Sequence, residues 1–235
     1  MTNDSIENFL DYVSEYDPNF RLRIAGSPSE EISELEDVSG GTLPQFYRSY
    51  LSRMGRSNGD LSLAWEANFC ATDLIDAYKE NVSSGEIIIP PNTILIGLGG
   101  MTVEEVLLSR TSSGRDGNVW ITRSQPEQWL YAEKFEYLLY QTAFTKRAAS
   151  FHAAFQSCAS NDYRGDLEAV FQEARKRGFR KEWFSDVNTV CATRPDGAIV
   201  ASRFSDTELL IVIYAQTQSD AKLLMQHFSS MFNVS

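Results

Sequence analysis

Two histidines, His152 and His227, and three cysteines, Cys70, Cys158 and Cys191, are the side chains here best suited to proton transfer, nucleophilic attack or soft-metal ligation. Their surroundings argue against all three. Both histidines sit in aromatic stretches of helical character, SFHAAF and LMQHF, where an imidazole is expected to pack or to lie on a helix surface. No His-x-x-x-His pair and no cysteine cluster offers zinc its ligands. Asp73 with Asp76, and Glu104 with Glu105, have the spacing of an acid/base pair, which is also the spacing of carboxylates on an exposed face. Gly40-Gly41 and Gly99-Gly100 lack the lysine and the spacing of a phosphate-binding loop. Arg175-Lys176-Arg177 is flanked by Glu173 and Glu182, so it reads as a basic helix C-terminus complementing the dipole, not as a nucleic-acid patch. The expectation is a protein without catalytic residues, cofactor or metal.

Charge is the stronger signal. The chain has 235 residues and a net charge of −11, with 32 acidic and 21 basic side chains. The excess is uneven: residues 1–40 sum to −8, residues 41–160 to −2 and residues 161–235 to −1. Such a surface repels nucleic acid and anionic lipid and steers a basic protein toward itself. The bland counterpart is a solvated, solubilising face.

The elements that carry those charges are legible in residues 27–59. Ser27 as N-cap, Pro28 at the first helical position and Glu30 three residues after the cap form a capping-box arrangement. Ile32, Leu35 and Val38 then share one helix face. Gly40-Gly41 stops that helix, and Pro44 restarts one with Thr42 or Leu43 at its cap. Phe46, Tyr47, Tyr50, Leu51 and Met54 form its apolar stripe. Gly55 is its expected stop, and Asn58-Gly59 reads as a turn, since both residues accept positive φ.

At these residues the chain resembles the SUKH superfamily, whose name derives in part from a fungal cell-wall-assembly regulator. The matching signature is Ile32, Leu35-Glu36, Leu43-Pro44, Tyr47, Leu51 and Asn58-Gly59, and the resemblance spans roughly residues 30–140. Asp60 departs from it, since many members carry a second glycine there. The resemblance implies an α+β domain that acts by binding other proteins. Many bacterial members are immunity proteins that neutralise a cognate toxin domain, often a nuclease, and the fungal branch implies a regulatory scaffold instead. On this reading Glu30, Glu31, Glu34 and Asp37, on the outer face of the first signature helix, are the partner-binding residues.

Around that segment the pattern is α+β, an antiparallel sheet flanked by helices, followed by a smaller α-β-β-β-α unit. Residues 5–16 read as a helix with Ile6, Phe9, Leu10 and Val13 inward, and residues 20–24 as short and extended. Leu61, Leu63 and Trp65 alternate as in a half-buried strand, and Thr72 reads as the cap of a helix through Ala77 and Tyr78. Residues 87–89, 93–97, 103–108 and 118–122 read as strands, the last carrying Trp120, with turns at Gly99-Gly100 and at residues 112–117. The short gaps make an antiparallel sheet. Ser124 with Glu127, and Pro126 between them, reads as a capping box before a helix carrying Trp129, Phe135, Leu138 and Leu139. A further helix with Ala148, Phe151 and Phe155 is expected.

Residues 159–165 are polar and contain Gly165, which places a linker there and domains at 1–160 and 161–235. Beyond it, Asp166 caps a helix with Leu167, Val170, Phe171 and Ala174 inward, ending at Gly178. Residues 189–192 and 198–204 flank the hairpin turn Arg194-Pro195-Asp196-Gly197. LLIVIYA, residues 209–215, is an apolar strand for the middle of a sheet, and residues 219–232 form a closing helix. Residues 1–16 carry neither the basic region nor the apolar run of a signal peptide, and no run of 18 apolar residues exists. Three widely separated cysteines read as reduced thiols. A cytoplasmic location is expected.

Overall fold

The computed structural model describes residues 5–99, 104–111, 114, 116–124 and 127–232. It is α+β, with antiparallel sheets flanked by helices, and divides into two compact units, residues 1–139 and 140–235. The expected boundary at 160/161 falls instead inside the second unit.

The first unit begins with α1 (Ser5–Ser14), whose Ile6, Phe9, Leu10 and Val13 are all buried. Residues 20–23 are helical, not extended, as α2 (Phe20–Arg23). The cause lies outside the segment: Phe20 is buried, and Arg21 reaches back to Glu7 at 3.0 Å and Asp11 at 2.7 Å on α1. Then β1 (Ile24–Ala25) pairs antiparallel with β2 (Ser57–Asn58). Between them lie the two signature helices, α3 (Ser29–Val38) and α4 (Gln45–Met54).

The expected caps shift by a residue or two. Pro28 and Pro44 hold the N-cap positions, and neither end has a side-chain cap bond. Ser27 is instead drawn onto α4, its N–H donating to the Leu51 carbonyl at 2.8 Å. Gly55 ends α4 in right-handed conformation (φ −68°), so its role is close approach, not a left-handed stop. A Cβ there would lie 2.5 Å from the Ser27 Oγ. In the following turn the left-handed pair is Gly59 and Asp60, each at φ +66°, while Asn58 stays in β2. Asp60, the departure from the SUKH pattern, thus occupies a conformation that glycine adopts freely and aspartate tolerates.

Residues 61–66 do not form the expected strand. Ala64, Trp65 and Glu66 are successively left-handed, at φ +41°, +56° and +70°. Leu61, Leu63 and Ala67 are buried around the turn, and burial holds a backbone that alternation alone would have extended. α5 (Ala71–Ala77) follows Cys70, whose N–H donates to Asn68 Oδ1, so Thr72 lies inside the helix instead of capping it. A π-helical turn (Tyr78–Val82) extends it. Residues 87–89 are not a strand, and Ile88 is exposed just ahead of Pro90-Pro91.

A four-stranded antiparallel meander follows: β3 (Thr93–Leu98), β4 (Glu105–Ser109), β5 (Val119–Ser124) and β6 (Glu127–Ala132). The Gly99-Gly100 turn and residues 103, 112, 113 and 115 of the expected strand and turn lie partly or wholly outside the described residues. Ser124 and Glu127 make no capping box; they pair across the β5–β6 hairpin, and Trp129 lies in a strand. Ser-x-Pro-Glu serves a hairpin as readily as a helix start, and cross-strand pairing with Ile121 decides for Trp129.

α6 (Phe135–Phe151) begins where Phe135 enters an aromatic cluster with Phe46, Tyr47, Tyr50 and Phe69. Its first turn is held by Asp116, whose carboxylate accepts the Glu136 N–H at 2.6 Å and the Gly117 N–H at 3.1 Å. Burial, with a smaller push from the Glu136 charge, raises the Asp116 carboxyl to about 6.

The second unit is a five-stranded antiparallel sheet in the order β7-β11-β10-β9-β8, with β7 (Ala154–Ser160), β8 (Arg180–Lys181), β9 (Thr189–Arg194), β10 (Gly197–Arg203) and β11 (Leu209–Ala215). Helices α7 (Leu167–Lys176) and α8 (Gln218–Phe232) share a core with it, which includes Val170, Phe228, Ile199 and Ile211. Asp166 Oδ1 accepts the Ala169 N–H at 2.9 Å, the expected cap. The expected α-β-β-β-α core is present and is enlarged by β7 and β8. Phe155 lies in β7, not in a helix, because apolar β11 takes a neighbour on each side and residues 154–160 supply the second.

Two substitutions test this packing. At Gly59 an added Cβ meets Phe20 at 2.5 Å in a left-handed backbone, so Gly59→Ala is expected to cost about 2–4 kcal/mol in urea unfolding. The raised Asp116 carboxyl contributes stability that is complete below its unfolded pKa and lost as pH rises through about 6. The wild type should therefore lose stability between about pH 4 and 6, by at most about 3 kcal/mol, and Asp116→Asn, which does not titrate there, should not show that loss in denaturation profiles.

Candidate functional site

The outer face of α3 is the candidate site. Its inward residues, Ile32 and Leu35, are buried, which turns Glu30, Glu34 and Asp37 outward at three- and four-residue spacing and leaves Glu31 half-buried at the margin of that stripe. These four do not stand alike. Glu31 is bound by Arg56, whose Nε lies 3.1 Å from each carboxylate oxygen, and its carboxyl is held below the usual range by that guanidinium. Glu34 accepts from Lys79 Nζ at 2.6 Å. Glu30 and Asp37 are exposed and make no ion pair among the described residues.

Glu36, the acid of the signature, is structural. It accepts the Leu43 N–H at 3.1 Å and Arg48 Nη1 at 2.6 Å, so it ties the end of α3 to the start of α4. Arg110, after β4, completes the corner by donating to the Thr42 and Ser39 carbonyls at 2.6 and 2.7 Å. Cations at the C-terminal carbonyls of a helix complement its dipole. α3 is therefore held at a fixed angle by side chains that do not face outward with the stripe.

Neutralisation reaches beyond α3. Glu7 is also 2.7 Å from Arg53, and Asp17 pairs with Arg23. The acid-rich first 40 residues are thus offset by Arg48, Arg53, Arg56 and Lys79, which lie later in the chain. Pairs 25 and 45 residues apart, as in Glu31–Arg56 and Glu34–Lys79, leave no local pattern from which they could be read. Divided by compact unit, residues 1–139 hold 22 acids and 10 bases, net −12, and residues 140–235 hold 10 acids and 11 bases, net +1.

The residues first considered for chemistry are dispersed. His227 Nε2 lies 2.6 Å from Glu173 Oε1, a tie between α8 and α7 in which Lys176 holds the other carboxylate oxygen at 2.9 Å. His152 is within 3.2 Å of Gln216, and burial lowers its pKa. Glu105 is buried against Thr122, whereas Glu104 is exposed. Asp73 and Asp76 lie on the exposed side of α5, Asp73 accepting from Asn68 at 2.5 Å. Among the described residues, no three His, Cys, Asp or Glu side chains group as a metal site. The cysteines are free thiols, and Cys158 and Cys191 are buried.

Trp120 is half-buried in β5, its Nε1 donating to Ser109 Oγ at 2.9 Å. Trp65 sits in the left-handed turn with its ring edge-on to Tyr131, centroids 5.4 Å apart. Three successive residues at positive φ mark a place where packing holds strained backbone, a feature that residue spacing does not encode.

No family model matches the chain, and no curated protein or solved structure gives a match. Among the described residues no helix is long and apolar enough to cross a membrane.

The roles of the α3 acids separate on substitution. Glu36→Ala, which strips a backbone N–H and a guanidinium of their acceptor, should cost about 1–3 kcal/mol in chemical denaturation. Glu30→Ala and Asp37→Ala should each stay within about 0.5 kcal/mol of the wild type.

Proposed function

We propose that this chain is a non-enzymatic, protein-binding protein of the cytoplasm, an immunity protein that binds a basic toxin domain and neutralises it. The carrying observation is the charge partition: residues 1–139 hold a net −12 against +1 for the rest, and α3 presents Glu30 and Asp37 without an ion pair among the described residues, beside Glu31 and Glu34. A basic cleft docks first on Glu30 and Asp37. It must then compete with Arg56 and Lys79 for the other two carboxylates. The Glu34–Lys79 pair is exposed on both sides, 47% and 51%, so exchanging Lys79 for a partner cation costs little, whereas Glu31 is only 16% exposed and is held more firmly by Arg56. Inhibition is stoichiometric: the bound chain covers the partner's active-site cleft and excludes substrate. The resemblance in the signature helices supports the same reading.

The test uses the chain as bait in source-cell lysate, followed by association kinetics of the captured protein. Glu30→Lys with Asp37→Lys should slow association about 3- to 10-fold at low ionic strength, with the difference shrinking as salt screens it. The captured protein's own activity should be lost at one equivalent of the chain. Association rates indifferent to both substitutions and salt remove the docking face. A captured protein that keeps its activity when saturated removes the immunity role.

A further inference from the structure

The two edges of the second unit's sheet are built differently. One edge is β8, only two residues long, and both are cations, Arg180 and Lys181. Short, charged edges resist pairing with another strand. The other edge is β7, seven residues long, AFQSCAS, with no charge and no proline. Among the described residues its one strand partner is β11, paired from Ala154↔Ala215 to Ser160↔Leu209. On its other side β7 makes no backbone hydrogen bond to any described residue.

The side chains along β7 leave that edge open. Ala154 and Cys158 turn toward buried surroundings, and Phe155, Ser157 and Ala159 are exposed on the opposite face. Phe155 is 61% exposed, although its ring lies only 6.3 Å from that of Tyr214. On the same face the next strand adds half-buried Leu210 and Val212. An apolar strip therefore borders a run of unpaired backbone donors and acceptors, the features that charged or shortened edges elsewhere suppress.

We propose that β7 pairs antiparallel with β7 of a second copy of this chain, about a two-fold axis at Ser157, joining two five-stranded sheets into one. A two-fold antiparallel pair sets each residue opposite its mirror position in the strand. Ser157 then meets Ser157, Gln156 meets Cys158, and exposed Phe155 meets Ala159, a large side chain over a small one on both sides of the axis. No like charges face one another, which matters for a chain of net charge −11. The second unit, which contains β7, has a net charge of +1, so its own charge offers little resistance to pairing. This pairing is independent of the docking role of α3.

Sedimentation velocity of the full chain between roughly 10 and 200 µM tests it. The average mass should climb from one chain toward two. Ser157→Lys and Ser157→Glu, each at an exposed position, should sediment as monomers, and an equimolar mixture of the two should recover the dimer. Hydrogen exchange of the wild type should show protection of residues 154–160 rising with concentration. A wild type that stays monomeric across the range overturns the pairing. So does a Ser157→Lys variant that still dimerises, or concentration-dependent protection that spares β7.

Discussion

Phe135 is the residue around which the first unit is organised. Its ring is met edge-on by Tyr47 at 5.1 Å and Tyr50 at 5.0 Å, with Phe46 and Phe69 at 6.2 and 6.3 Å. That single side chain joins α4, the approach to α5 and the start of α6. Edge-to-face pairs each add about 0.5–1.5 kcal/mol beyond the area they bury. The apolar stripe of α4 faces this cluster, so α4 cannot rotate, and the Glu36–Leu43 and Arg110 contacts then fix α3 against it. The orientation of the acidic stripe thus follows from aromatic packing on the opposite side of the helix pair.

Electrostatics works as a second layer on that frame. Four carboxylates of the first 40 residues, Glu7, Glu31, Glu34 and Glu36, meet a cation from later in the chain, and the exposed pair Glu34–Lys79 contributes little to stability. Their effect is to pattern the surface: part of the acidic excess is tied up in exchangeable pairs and part is left open at Glu30 and Asp37. A partner would sense the open charges at long range and the paired ones on contact. The second unit, close to neutral, has its own exposed feature in an uncharged strand edge.

Local signals in the sequence were informative where local physics decides. The apolar stripes of α1 and α4, the Asp166 cap, the Pro195-Asp196 hairpin and the central strand β11 all appear where periodicity and turn chemistry place them. Departures arise where a distant contact overrides the local preference. Residues 61–66 alternate like a strand, yet Ala64, Trp65 and Glu66 turn left-handed under burial. Ser124 and Glu127 have cap spacing yet pair across a hairpin, and Phe155 continues a helical pattern until β11 recruits it. At the site, the four outward acids of α3 are legible from helix spacing. The division between paired and open ones is not, because Arg56 and Lys79 arrive from 25 and 45 residues away.

Hydrogen exchange of the chain, free and bound to the protein it captures, tests the docking face most directly. A face on α3 predicts protection over residues 29–38 and over the segments carrying Arg56 and Lys79, with residues 140–235 unchanged by that partner. Protection confined to residues 140–235, with α3 exchanging as in the free chain, would contradict it.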